Sequence, residues 1–170
     1  MKILITGIRG LAGSLRDVYI DHDVTSVSKS GGFDIHNVSH WGVEFLEYDT
    51  VFNCAYDGFG QVNVVEFFFN HWKNDPSKTI VSIGSRAITQ KRIESSNDYW
   101  PYRVHKLALQ AAHDSMLATA KCDLKIFNPG PIDTAMIAHL TCDKISPELL
   151  ANKIKELTTD KTLKRIDLWE

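Results

Sequence analysis

Tyr102 and Lys106 stand four residues apart in the stretch Tyr-Arg-Val-His-Lys, a spacing that sets both on one face of a helix. A free phenol titrates near ~10 and is a poor base at neutral pH. An ammonium beside it favours the phenolate and lowers that value. A tyrosine so placed gives a proton to a carbonyl oxygen as hydride reaches the carbon, or takes one in the reverse direction. The spacing alone is common, and a solvent-exposed pair is its usual reading. Ser85 narrows the choice. It follows the apolar run 78–84, where the carboxyl end of a strand is expected and a hydroxyl meets a substrate oxygen. Ser82 is its rival and falls within the run. Asn63 opens an apolar helix; it is either a helix-start polar group or the holder of a water in a proton relay toward Lys106.

Those residues need elements to position them. β-branched and apolar runs at 2–6, 23–28, 32–35, 50–54, 78–84, 123–128 and 163–168 read as strands. Segments of helical period lie between them: one ending near residue 20, then 39–48 capped by Ser39, 61–73, 101–120, 134–140 and 147–158. Pro101 suits the first turn of its helix. Such alternation predicts an α/β fold of three layers, doubly wound, with a mostly parallel sheet of about seven strands. In such sheets ligands bind beyond the carboxyl ends of the strands, near the switch in strand order.

Thr6-Gly7-Ile8-Arg9-Gly10-Leu11-Ala12-Gly13 joins the first strand to the first helix. Glycine at 7 permits a tight turn, glycine at 10 admits a pyrophosphate to the backbone, and glycine at 13 allows close helix–strand packing. The helix N-terminus then offers free N–H groups to phosphates. In this place the turn is read as the dinucleotide site of a Rossmann-type domain, against the alternative of a plain turn. The second strand ends Ser28-Lys29-Ser30 without the carboxylate that usually holds an NAD ribose. Lys29 and Arg9 are placed to grip a 2′-phosphate, or else are solvated surface charges. NADP(H) is therefore the expected cofactor, with NAD(H) possible.

The 170 residues predict a single domain over the whole chain. A net charge of −2 gives no basic footprint for nucleic acid. Cys54, Cys122 and Cys142 are scattered and form no disulfide framework, which suits a reducing cytosol. No apolar run has the ~20 residues of a membrane span, and the short run after Met1-Lys2 falls short of a signal peptide. A cytoplasmic protein is expected. His36 and His40 are four apart, but no H-E-x-x-H occurs, so no metal is expected.

Taken together, these motifs resemble those of the short-chain dehydrogenase/reductase family over nearly the whole chain. The glycine turn has the family's T-G-x-x-G-x-x-G form. Asp34-Ile35 is similar to its adenine-holding pair. Asn53-Cys54-Ala55-Tyr56 is similar to its N-N-A-G stretch, with two of four residues changed. Val62-Asn63-Val64 matches the segment of its catalytic asparagine, Ile83-Gly84-Ser85 that of its serine, and Tyr102 with Lys106 its Y-x-x-x-K. Pro129-Gly130-Pro131-Ile132-Asp133-Thr134 matches the P-G-x-I-x-T stretch along the nicotinamide.

The resemblance implies Asn63, Ser85, Tyr102 and Lys106 as the catalytic set, Lys106 also binding the ribose. It implies Asn53, Cys54, Ala55, Pro129, Gly130 and Ile132 beside the cofactor, and Thr134 on its carboxamide. The implied activity is reversible carbonyl/alcohol interconversion on a small molecule. The alternatives are an epimerase or dehydratase with tightly bound NAD(P), and a nucleotide sensor without turnover. The chain departs from the family in the short interval between Ala55 and Asn63, where a helix is expected to be missing, and in a short stretch after Thr134. The helix at 61–73 is apolar on more than one face, and the missing neighbour leaves one face for a partner subunit, so a homodimer is expected. The polar connection 86–100 is expected either to border the substrate or to run as a surface loop.

Overall fold

Strand β1 (Lys2–Thr6) buries Leu4 on one face and Ile3 and Ile5 on the other, since alternate side chains of a strand point to opposite sides. The same alternation recurs in β3 (Thr50–Asn53), β4 (Thr79–Ile83) and β5 (Asp123–Pro129). Val51, Ile80 and Ile126 join Leu4, while Phe52, Val81 and Phe127 join Ile3 and Ile5. Strands apolar on both sides belong to a sheet covered on both sides. The computed structural model describes residues 1–89 and 100–168. In it these strands, with β2 (Asp23–Val27) and β6 (Arg165–Leu168), form one sheet in the order β2-β1-β3-β4-β5-β6, every neighbouring pair parallel.

Helices α1 (Leu11–Val18) and α4 (Pro147–Thr158) cover one face through Leu11, Leu15, Leu150, Ala151 and Ile154. Ser146 caps α4, its side chain accepting from the Leu149 N–H, and Pro147 occupies the first turn. Helices α2 (Gly60–Trp72) and α3 (Trp100–Leu117) cover the other face. The expected three-layer, doubly wound α/β fold is therefore present, with six strands among the described residues.

The missing strand is 32–35. A 3-10 turn, Lys29–Gly31, ends at Gly32 with φ 89°, a left-handed conformation glycine adopts without strain. Asp34 then caps the next turn, Ile35–His40, by accepting from the His36 N–H at 2.9 Å. Local capping of this kind competes with strand pairing. The helix expected at 39–48 is that turn plus a second, Val43–Glu47. Trp41, extended at φ −69° and ψ 135°, separates the two, and Ser39 caps neither. Their Val38, Trp41 and Phe45 pack in one cluster with Val64, Val65, Phe68 and Trp72 of α2. The second apolar face of α2 is thus covered within the chain, which removes the expected need for a partner subunit there.

Residues 134–140 hold only a short turn, Ala135–Ile137. Of the 86–100 connection, the turn Arg86–Ile88, Thr89 and Trp100 are described; its possible role as a substrate border rests on 90–99, which lie outside the described residues. Among the described residues no helix is long and apolar enough to cross a membrane.

Candidate active site

The parallel register brings the carboxyl ends of β1 to β5 to one edge: Thr6 aligns with Val27 and with Asn53, Asn53 with Ser82, and Ile83 with Phe127. The site grows from that edge. On α3 the inward stripe is Lys106, Leu109, Gln110 and His113, so helical period carries Lys106 into the interior, 4% exposed. Its ammonium donates to the Gln61 side-chain oxygen and to the Ile83 carbonyl, both at 2.7 Å. Burial pushes its pKa down to about 7, because desolvation penalises the charged form.

Tyr102 lies one turn back, half-buried. The Lys106 Nζ is 5.5 Å from the centroid of the Tyr102 ring and 5.5 Å from that of Tyr56. The two rings meet edge to face at 4.9 Å. Ser85 lies just past β4. Its Oγ accepts from the Ala87 N–H at 3.2 Å, and its N–H donates to Asn128 Oδ1 at 3.2 Å. That contact leaves the hydroxyl hydrogen of Ser85 available as a donor. Ser82 is wholly buried inside β4.

Asn63 is elsewhere: its amide donates to the His36 carbonyl at 3.3 Å, on the side of α2 facing the Ile35–His40 turn. The residue that reaches Lys106 is Gln61. Its Nε2 also donates to the Asn53 carbonyl at 2.9 Å and the Ile83 carbonyl at 3.2 Å, and its own carbonyl accepts from Asn53 Nδ2 at 2.7 Å. Asn53 is therefore a brace between β3 and α2. A sequence signal for Gln61 exists, since it heads the buried stripe that continues through Val64, Val65, Phe68 and Trp72. A polar residue on such a stripe needs a buried partner.

The glycine turn has the expected strain-free positions. Gly7 has φ 103° and Gly10 φ 54°, and a Cβ on Gly10 would come within 2.9 Å of Thr134 Cγ2. The Pro129–Thr134 loop thus lies against the turn. It is pinned by Gly130 N–H to Leu168 carbonyl at 3.0 Å and by a parallel bridge between Ile132 and Ile145. Gly13 packs α1 close to the Ile8 carbonyl, 3.4 Å from where its Cβ would be. Thr6 closes the strand ends, its Oγ1 accepting from the N–H groups of Cys54 at 2.9 Å and Ala55 at 3.0 Å. Leu11 turns its side chain into the core. The first turn of α1 leaves N–H groups without helical acceptors.

Four residues expected at the cofactor, Ser28, Lys29, Asp34 and Ile35, have partners within the chain. Lys29 bridges Asp34 at 3.3 Å and Asp57 at 3.2 Å, and both partners raise its pKa. The Ser28 and Ser30 hydroxyls lie 3.0 Å apart. Asp34 also holds the His36 N–H, the main reason its carboxyl titrates lower than usual, and Ile35 is buried beneath Gly60. Asp34, His36 and Asp57 offer ligand atoms within 4.8 Å of one another, but the Lys29 ammonium already bridges the two carboxylates. Arg9 is exposed on the glycine turn and has no ion pair among the described residues. Burial pushes the Cys54 thiol up to about 12, against an opposing pull from Lys106.

No protein-family model matches the sequence, and no curated protein matches it. Solved structures do. A short-chain dehydrogenase from Burkholderia cenocepacia in complex with NADP superposes with a TM-score of 0.77 at 16% identity, over 99% of this chain and 90% of that one. A short-chain dehydrogenase/reductase from Vibrio parahaemolyticus gives 0.75 at 18%, over 98% of each chain. An alcohol dehydrogenase from the archaeon Thermococcus sibiricus, complexed with 5-hydroxy-NADP, gives 0.73 at 15%, over 100% and 96%. The chain has the fold of the short-chain dehydrogenase/reductases.

Proposed function

We propose that this protein is an NADP(H)-dependent oxidoreductase of the short-chain dehydrogenase/reductase type, interconverting a carbonyl and an alcohol. The observation that carries the reading is the placement of the Lys106 ammonium, fixed at the strand ends and 5.5 Å from the Tyr102 ring. In its protonated form, held below about pH 7, Lys106 there favours the Tyr102 phenolate and serves proton transfer.

The residues at the strand ends fit a dinucleotide. Gly10 leaves no side chain between the glycine turn and Thr134, and the α1 N-terminus supplies N–H groups for phosphates. Arg9 is the cation for a 2′-phosphate, whereas Lys29 is committed to Asp34 and Asp57. The Pro129–Thr134 loop, with Ile132 and Thr134, closes the nicotinamide end. A bound nicotinamide supplies or accepts the hydride. Tyr102 gives or takes the proton at its phenolic oxygen, and the Ser85 hydroxyl donates to the substrate oxygen. Gln61 holds Lys106 in place, while Asn63, expected to hold a water in a relay toward Lys106, is bonded to the His36 carbonyl.

We further propose a homodimer formed through α3 rather than α2. Trp100, Val104 and Leu107 are exposed at 66%, 42% and 43%, and their spacing of four and three sets them on one side of the helix. The test of function is titration with NADPH and NADH, followed by a panel of carbonyls and alcohols. Binding and turnover support the reading; binding with no turnover on any substrate points to a sensor.

A further inference from the structure

Tyr56 stands where the N-N-A-G pattern carries glycine, so its side chain is additional to the expected machinery. It is half-buried, with its Oη 2.9 Å from His105 Nδ1. Its ring meets the Tyr102 ring at 4.9 Å, and Lys106 Nζ is equidistant, 5.5 Å, from both ring centroids. Phe59 packs edge to face on the His105 ring at 4.5 Å and fixes that imidazole. On its inner side Lys106 is already engaged by Gln61 and the Ile83 carbonyl. Asn63, the expected start of an inward relay, is bonded to His36 instead.

We propose that Tyr56 and His105 form the proton outlet of the site, connecting Tyr102 outward to solvent. The proposal rests on the oxidoreductase reading above. In alcohol oxidation the Tyr102 phenolate takes the hydroxyl proton as hydride leaves the carbon for the nicotinamide. Resetting Tyr102 requires that proton to go elsewhere. Through a bridging water it passes to the oxygen of Tyr56, whose ring meets that of Tyr102, while the Tyr56 proton moves to His105 Nδ1. The imidazolium then releases its Nε2 proton to water, and exchange with water restores the starting tautomer. One proton leaves per hydride transferred, and carbonyl reduction runs the chain backward.

Burial, with the Asp57 carboxylate, raises the Tyr56 pKa, so Tyr56 rests protonated and gives its proton to His105 only as it takes one from the side of Tyr102. Among the described residues, the charged and titratable groups facing the pair are Lys106 and Tyr102 on α3, Asp57 with its Lys29 and His36 partners, and Cys54 beside Lys106. His36 and His105 approach Gly58 from two sides, 3.6 and 4.0 Å from where its Cβ would be.

The test uses Tyr56→Phe, His105→Ala and His105→Gln in the full chain. His105→Gln keeps a hydrogen-bond partner for Tyr56 but cannot carry a proton onward. All three are expected to lower kcat about tenfold or more, a share of what a positioned proton carrier contributes, with KM for the cofactor unchanged. A solvent deuterium isotope effect should grow, the pH profile should lose the His105-linked limb, and added imidazole should restore His105→Ala but not Tyr56→Phe. Wild-type kcat in His105→Gln, or no rescue by imidazole, overturns the proposal. A cofactor-free readout separates it from the reading beneath it. With isotope-labelled tyrosines, the Tyr102 NMR signal should follow the His105 titration in the wild type and lose that dependence in Tyr56→Phe. A Tyr102 signal blind to His105 overturns the link whatever the enzyme turns over. A linked signal in a protein that turns over nothing overturns the oxidoreductase reading and, with it, the use of the path.

Discussion

Lys106 is a buried amine whose neighbours are an amide, a carbonyl and two phenol rings. Its pKa near 7 makes a prediction about stability whose sign is fixed. Between about 7 and its ordinary 10.5 the unfolded chain binds a proton that the folded chain does not, so stability rises with pH. Cys54 acts oppositely above its ordinary 9.0, because the folded thiol keeps its proton to about 12. The clean window is therefore pH 7–9, with a slope of at most about 1.4 kcal/mol per unit. Urea unfolding of the cofactor-free protein should show that slope, and Lys106→Met should abolish it. His113, pushed down to about 4 by burial, adds a separate loss of stability as pH falls from its ordinary 6.5 toward 4. Gln61→Leu should cost about 2–4 kcal/mol, since it leaves the Lys106 ammonium and two buried carbonyls short of partners; a cost near zero would show that the brace is dispensable. The Tyr102–Lys106 pair was legible because four-residue spacing is a local property. Gln61 was legible only as a polar residue heading the apolar stripe of α2; its partners on β3, β4 and α3 were not, because they are distant in sequence.

At the scale of elements, the central strands β1, β3, β4 and β5 could be read from apolar runs because both faces of each are buried. Residues 32–48 could not. Asp34 turns its carboxylate on the His36 N–H, and that local bond outweighs the β-branched and aromatic character of the segment. The resulting turns cover α2, and Trp41 is 7% exposed at the centre of that contact. Trp41→Ala should lower unfolding free energy by about 3–5 kcal/mol, measured by urea denaturation, with secondary structure elsewhere unchanged by circular dichroism. The glycine turn gives a different expectation. Gly10→Val places side-chain atoms against Thr134 and forces a non-glycine residue to φ 54°. Cofactor affinity by calorimetry should fall about tenfold or more, one factor of ten being about 1.4 kcal/mol. The engagement of Lys29 by Asp57 was hidden from sequence reading for the same reason as Gln61, since 28 residues separate them.

For the whole molecule, the apolar excess that the sequence placed on α2 is absorbed within the chain, and the exposed apolar stripe is on α3. If α3 is the dimer face, Leu107→Glu should convert a dimer to a monomer by light scattering, while Val43→Glu, exposed at 81% away from that helix, should not. Equal masses for the wild type and Leu107→Glu would count against that face. In the proposed function a cofactor site and a tyrosine acid/base meet at the strand ends. The most direct measurement compares NADPH binding and turnover in the wild type and Tyr102→Phe. Unchanged binding with turnover lowered about a hundredfold or more is the predicted result. No binding of NADPH or NADH, or a Tyr102→Phe enzyme as fast as the wild type, would contradict it.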